Sequence, residues 1–157
     1  MAVALDNIDL KLLRELQEDA DRPNVELARL VGLSPAATLN RVRRLKESGV
    51  IRSIAARLDS AAAGFPLQVY VSVALMRHDD PGDRRFKATV MEMPEVIAAD
   101  WVTGEIDAML LVVSRDVAQL QRVLSLLSTK GGAARVVTLL RLEELKPASP
   151  LPLVATR

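Results

Sequence analysis

The chain has 157 residues, half of them hydrophobic, with 21 basic and 20 acidic side chains and no cysteine. That apolar content is enough for a packed core and excludes a disordered chain, while the missing cysteine excludes disulfides and thiolate metal sites. The net charge of +1 excludes a uniformly basic nucleic-acid binder, and with no apolar run long enough to span a membrane and no signal sequence read at its start, the expected compartment is the cytoplasm.

Residues 1–60 read as helical. Leu5, Ile8, Leu12 and Leu16 share one helical face, and Asp6 or Asn7 suits its start. A second short helix carries Leu27, Leu30 and Val31. Pro23 fits its first turn, Asp21 or Arg22 lies near its cap, and Gly32 ends it. Ser34 caps a third helix, and Pro35 follows at a position that needs no amide partner. Ser48-Gly49 stops this helix and Val50-Ile51 begins an extended segment. Residues 61–66, Ala-Ala-Ala-Gly-Phe-Pro, read as a linker.

Beyond the linker the period changes. Val69, Val71, Val73 and Leu75 alternate as in a strand, and 78–82 reads as a polar turn. Phe86, Val90 and Met93 mark a helix ending near Met93. Residues 96–102 and 106–113 read as strands joined by Thr103-Gly104-Glu105. Val117, Leu120, Leu124 and Leu127 form a helical stripe, and 135–143 alternates again. The order strand–helix–strand–strand–helix–strand predicts a ferredoxin-like βαββαβ unit, so the fold class is α+β.

The third helix carries the chemistry. On a helical wheel Thr38, Val42 and Leu45 cluster on one side, while Ala36, Ala37, Asn40 and Arg44 lie opposite, flanked by Arg41 and Arg43. Small residues let a helix N-terminus approach base edges, Asn40 suits adenine, and arginine suits guanine or phosphate. Ser34 and the helix N-terminus suit a phosphate. From 41 to 57 there are six positive residues and one negative, a local balance of +5 that attracts phosphate on a near-neutral chain. The competing structural readings are plain: Ser34 as a cap, the alanines as helix formers, Arg41 as a bridge to a carboxylate on the first helices.

Several strings together resemble the Lrp/AsnC, or feast/famine, transcription regulators. They are Leu5-Asp6-Asn7-Ile8-Asp9, Asn24-Val25-Glu26-Leu27-Ala28, Val31-Gly32-Leu33-Ser34-Pro35, Arg41-Val42-Arg43-Arg44-Leu45 and Gly49-Val50-Ile51. Downstream come Pro94-Glu95-Val96, Val102-Thr103-Gly104-Glu105-Ile106-Asp107, Thr138 and Glu143-Glu144-Leu145-Lys146. The resemblance implies a winged helix-turn-helix DNA-binding domain over 1–60 and, after the 61–66 linker, an effector-binding and oligomerisation domain over 67–157. It implies double-stranded DNA as partner, an amino-acid effector and no other cofactor, and dimers that often assemble into octamers. Asp21 departs from the family, which usually has arginine at the end of the first helix, and so removes a positive charge that a phosphate contact there would use.

The expected DNA-binding residues are Ser34, Pro35, Ala36, Ala37, Asn40, Arg41 and Arg44. The resemblance places the effector at Thr103, Gly104 and Asp107. There Asp107 would accept an α-amino group and the amides around Gly104 would hold an α-carboxylate; the alternative is a plain turn tied down by Asp107. His78 reads as an exposed loop residue with no metal partners, and Trp101 as a packing residue. Sirohaem decarboxylases also resemble this two-domain plan, but the paired histidines they lean on are missing here, since His78 is the only histidine. The chain therefore reads as a non-enzymatic regulator.

Overall fold

The computed structural model describes residues 4–76 and 80–153. In chain order these form α1 (Asn7–Glu18), α2 (Asn24–Val31), α3 (Pro35–Glu47), β1 (Leu67–Leu75), α4 (Asp80–Met91), β2 (Val96–Trp101), β3 (Ala108–Ser114), α5 (Val117–Thr129) and β4 (Ala133–Leu140). His78, read as an exposed loop residue, lies outside the described residues. So does part of the polar turn read at 78–82; its described part is already the first turn of α4. The chain divides into two compact units. One runs to Ala56 and also takes the segment from Lys146; the other is Arg57–Leu145.

In the helical unit α1 opens with a capping box. The Asp6 carboxylate accepts the Asp9 N–H at 2.8 Å, and the Asp9 carboxylate accepts the Asp6 N–H at 3.2 Å. Leu12 and Leu45 are fully buried, beside Leu10, Leu13, Leu27 and Ala28. Each such leucine contributes about 1.5–3 kcal/mol by leaving water. The N-cap of α2 is Pro23 itself, and no side chain caps that helix; Arg22 turns back to pair with Glu15 on α1 instead. Among the described residues this unit holds no β-strand, so the wing expected after α3 is an extended segment without a ladder.

After β4 the chain returns to the helices. Residues 146–153 group with the helices, not with the sheet. Gln17 accepts the Leu151 N–H at 2.6 Å and donates to the Leu151 carbonyl at 3.3 Å. Arg14 donates to the Leu153 carbonyl at 2.9 Å. Leu13, Leu16, Ile51, Leu151 and Leu153 line one groove, at whose edge Leu151 stays 70% exposed.

The sheet unit has strand order β2-β3-β1-β4, with every neighbouring pair antiparallel. This is the ferredoxin-like arrangement. Alternation in β1 sends Val69, Val71 and Val73 toward α4 and α5, where they meet Leu110, Val112, Phe86, Val123 and Leu127. The opposite face carries a row across three strands: Leu111 pairs with Tyr70, and Tyr70 with Leu139. Tyr70, Val137 and Leu139 on that face are exposed. Trp101 packs on Phe86 with ring centroids 5.5 Å apart, yet stays 51% exposed at the edge strand.

Candidate nucleic-acid interface and effector hairpin

The α2–α3 corner is set by backbone chemistry. Gly32 takes φ +73°, a left-handed cap that favours glycine, and the Leu33 N–H closes onto the Ala28 carbonyl at 3.0 Å. Ser34 Oγ accepts the Ala37 N–H at 3.2 Å. Asn24 Nδ2 donates to the Pro35 carbonyl at 2.9 Å and fastens the two helices together. Pro35 lacks an N–H, and Ser34 occupies that of Ala37. In the first turn of α3 this leaves the Ala36 N–H without an intrahelical acceptor.

Thr38 and Leu45 are fully buried and Val42 is half-buried, as the stripe predicts. Ser34, Pro35, Ala36, Asn40, Arg43 and Arg44 are exposed, and Ala37 is half-buried beside them. Leu39, half exposed at 50%, joins this outer face. Arg41 does not. Its guanidinium donates to Asp6 at 2.6 Å and to Asp9 at 2.9 Å, so it takes the bridging role that competed with DNA contact. Arg44 also reaches the Asp9 carboxylate, while its side chain stays 53% exposed.

These contacts polarise the cluster. The Asp9 N–H and then the Arg41 guanidinium hold the Asp6 carboxyl below its ordinary pKa. Asp6, followed by Asp9, raises that of Arg41. Reading the sequence did not identify Asp9 as the partner. Its signal was present: an acid between Leu5 and Leu12 on the apolar face of α1 must find a cation when that face is buried.

The second candidate site is the connection between β2 and β3. It spans 102–107, longer than a three-residue turn, and is closed by the Val102 N–H on the Asp107 carbonyl at 2.9 Å. Thr103 and Gly104 are exposed; Gly104 has φ +122°, where other residues are strained. Asp107 is half-buried. Its N–H donates to the Val73 carbonyl at 2.8 Å, and its Oδ2 accepts the Leu75 N–H at 2.7 Å. Asp107 therefore ties the hairpin to the end of β1. Among the described residues no group of three or more His, Cys, Asp or Glu could hold a metal ion, and no helix is long and apolar enough to cross a membrane.

Comparison with known proteins matches both units. The AsnC-type helix-turn-helix domain matches residues 5–46, and the Lrp/AsnC ligand binding domain matches 68–151. The leucine-responsive regulatory protein of Rhizobium meliloti is 40% identical over 147 residues, covering 93% of this chain and 94% of that one. The HTH-type transcriptional regulator AldR of Mycolicibacterium smegmatis is 38% identical, covering 94% and 86%. Among solved structures, the transcriptional regulator NMB0573 of Neisseria meningitidis, in complex with L-methionine, superposes with TM-score 0.86 at 33% identity, covering 95% of this chain and 97% of that one. A feast or famine regulatory protein from M. tuberculosis, complexed with L-methionine, gives 0.85 at 32% identity, covering 92% and 96%. These relatives are regulators, and the decarboxylase resemblance gives way to them. The chain belongs to the Lrp/AsnC family of transcriptional regulators.

Proposed function

We propose that this regulator binds double-stranded DNA sequence-specifically through α3 and is modulated by an amino acid bound at the 102–107 hairpin. The observation that carries the first half is the outer face of α3. Ala36 and Ala37 allow close approach, Asn40 offers a bidentate amide to adenine, Arg44 presents its exposed edge to a base or phosphate, and Ser34-Pro35 with the Ala36 N–H lies against the backbone. Arg41 supports that face from behind. The hairpin reading rests on Thr103, Gly104 and Asp107, with the L-methionine seen in the Neisseria and M. tuberculosis relatives giving the class of ligand.

The apolar row Leu111–Tyr70–Leu139 supports pairing of two copies through the outer sheet face, with dimers building an octamer. Such a regulator acts in the cytoplasm.

The test uses the full chain. Duplexes are selected from a random pool, footprinted, and compared with scrambled duplexes at fixed salt. Thermal shift is then measured with each of the twenty amino acids, and mass with and without them by light scattering. A selected duplex bound at least about 10³-fold more tightly than a scrambled one is expected. Equal affinity for both would refute sequence-specific binding, and the absence of any thermal shift would remove the amino-acid effector.

A further inference from the structure

One buried acid has no task in the DNA or ligand readings above. Asp9 is 1% exposed. Its carboxylate accepts Nη1–H of Arg41 at 2.9 Å, Nη2–H of Arg44, and the Asp6 N–H at 3.2 Å. Asp6 adds a second acid, 2.6 Å from Arg41. Two arginines of α3 are thus matched by two acids of the α1 N-terminus. The balance of +5 over 41–57 falls to +3 when these acids are included. Arg41 is shared between Asp6 and Asp9, so Arg44 completes the match to the two acids and is itself fixed by it. A guanidinium has five N–H donors. Arg44, half exposed, keeps donors for a well-placed base edge, while its charge is offset and its position fixed. A free arginine there would take any phosphate within reach.

We propose that Asp9 is a positioning residue that sets DNA selectivity. Its buried carboxylate holds Arg41 and Arg44 against α1 and keeps their charge out of sequence-independent phosphate binding. This rests on the DNA-binding reading given above.

Salt dependence separates this role from simple fold support, because a purely structural ion pair changes melting and not the number of phosphates neutralised. The full-length chain is titrated with its selected duplex and with a scrambled one across a salt series. Asp9→Asn preserves shape and the acceptor for the Asp6 N–H. On scrambled DNA its log K against log salt steepens by about one, since Arg44 is released while Arg41 stays on Asp6, and one released guanidinium adds about 0.9. The selected-to-scrambled ratio then falls about 10-fold. A folded Asp9→Asn protein with the wild-type slope and ratio overturns the proposal.

Should that variant fail to fold, Arg44→Ala decides. Its slope on scrambled DNA falls by much less than the about 0.9 expected of Arg43→Ala, which removes a cation with no acid partner among the described residues. A drop of that size for Arg44→Ala refutes the clamp and leaves the DNA-binding reading standing. A wild-type chain that binds no duplex overturns the DNA-binding reading, and the clamp with it.

Discussion

Asp107 offers a test that separates a structural tie from a ligand contact. The Leu75 N–H, on a residue only 7% exposed, donates to Asp107 Oδ2 at 2.7 Å. It does so where the β1–β4 ladder shifts register between Ala74 and Leu75. Asp107→Ala leaves that amide buried and without its acceptor, which costs about 1–3 kcal/mol. In a unit of this size each kcal/mol lowers the melting temperature by roughly 4–8 °C. Asp107→Asn keeps an oxygen for Leu75 while losing the charge, so its expected cost is smaller than that of Asp107→Ala. Trp101, the sole tryptophan, lies in β2, so fluorescence during urea unfolding reports on the sheet unit alone. Both variants are expected to lose the thermal shift given by the amino-acid effector, because each removes the carboxylate that would face an ammonium group. A wild-type midpoint for Asp107→Ala refutes the tie. A full thermal shift in Asp107→Asn refutes the ligand role.

Leu45→Ala, at a fully buried position, is expected to cost about 2–5 kcal/mol, read as the loss of helical signal on urea unfolding. Asn40→Ala is expected to weaken selected-duplex binding by about 1–3 kcal/mol and relax preference at one base pair while melting stays constant, measured by competition binding. Gly104→Val introduces a side chain into open space but onto a backbone of φ +122°, so strain of about 1–3 kcal/mol is expected from the same fluorescence transition. For Asp6 the folded pKa lies below the ordinary 3.8, so its stabilisation is complete above that value and is lost as pH falls through the folded one. The difference in melting temperature between wild type and Asp6→Asn is expected to be flat above about pH 5 and to shrink below about pH 4.

The sequence made the element order legible because periodicity and caps are local. Val69, Val71 and Val73 alternate, Ser34-Pro35 starts α3, Gly32 ends α2, and all three are seen. Thr38 and Leu45 were placed correctly on the buried side by the helical repeat alone. What escaped was long-range pairing. A bridge from Arg41 to a carboxylate of the first helices is one of the readings the sequence leaves open, but which acids it meets, and that Arg44 joins it, is not legible because Asp6 and Asp9 lie more than thirty positions upstream. The tail was read with the sheet because it follows β4 directly, and nothing local announces that Leu151 will meet Gln17. The extended segment after α3 looked like a wing because its residues suit a strand, but a strand needs a partner and none pairs with it among the described residues.

The returning tail changes what a cut does to this molecule. The helical unit is assembled from both ends of the chain, and the sheet unit is an insertion between them. A protease that nicks near residue 57 would leave two fragments still associated, because the downstream one carries the strap that Arg14 and Gln17 grip. A helical fragment expressed without residues 146–153 would instead leave Arg14 and Gln17 without the backbone groups of Leu151 and Leu153 that they hold. Dissection of this regulator into halves therefore keeps the strap with the helices.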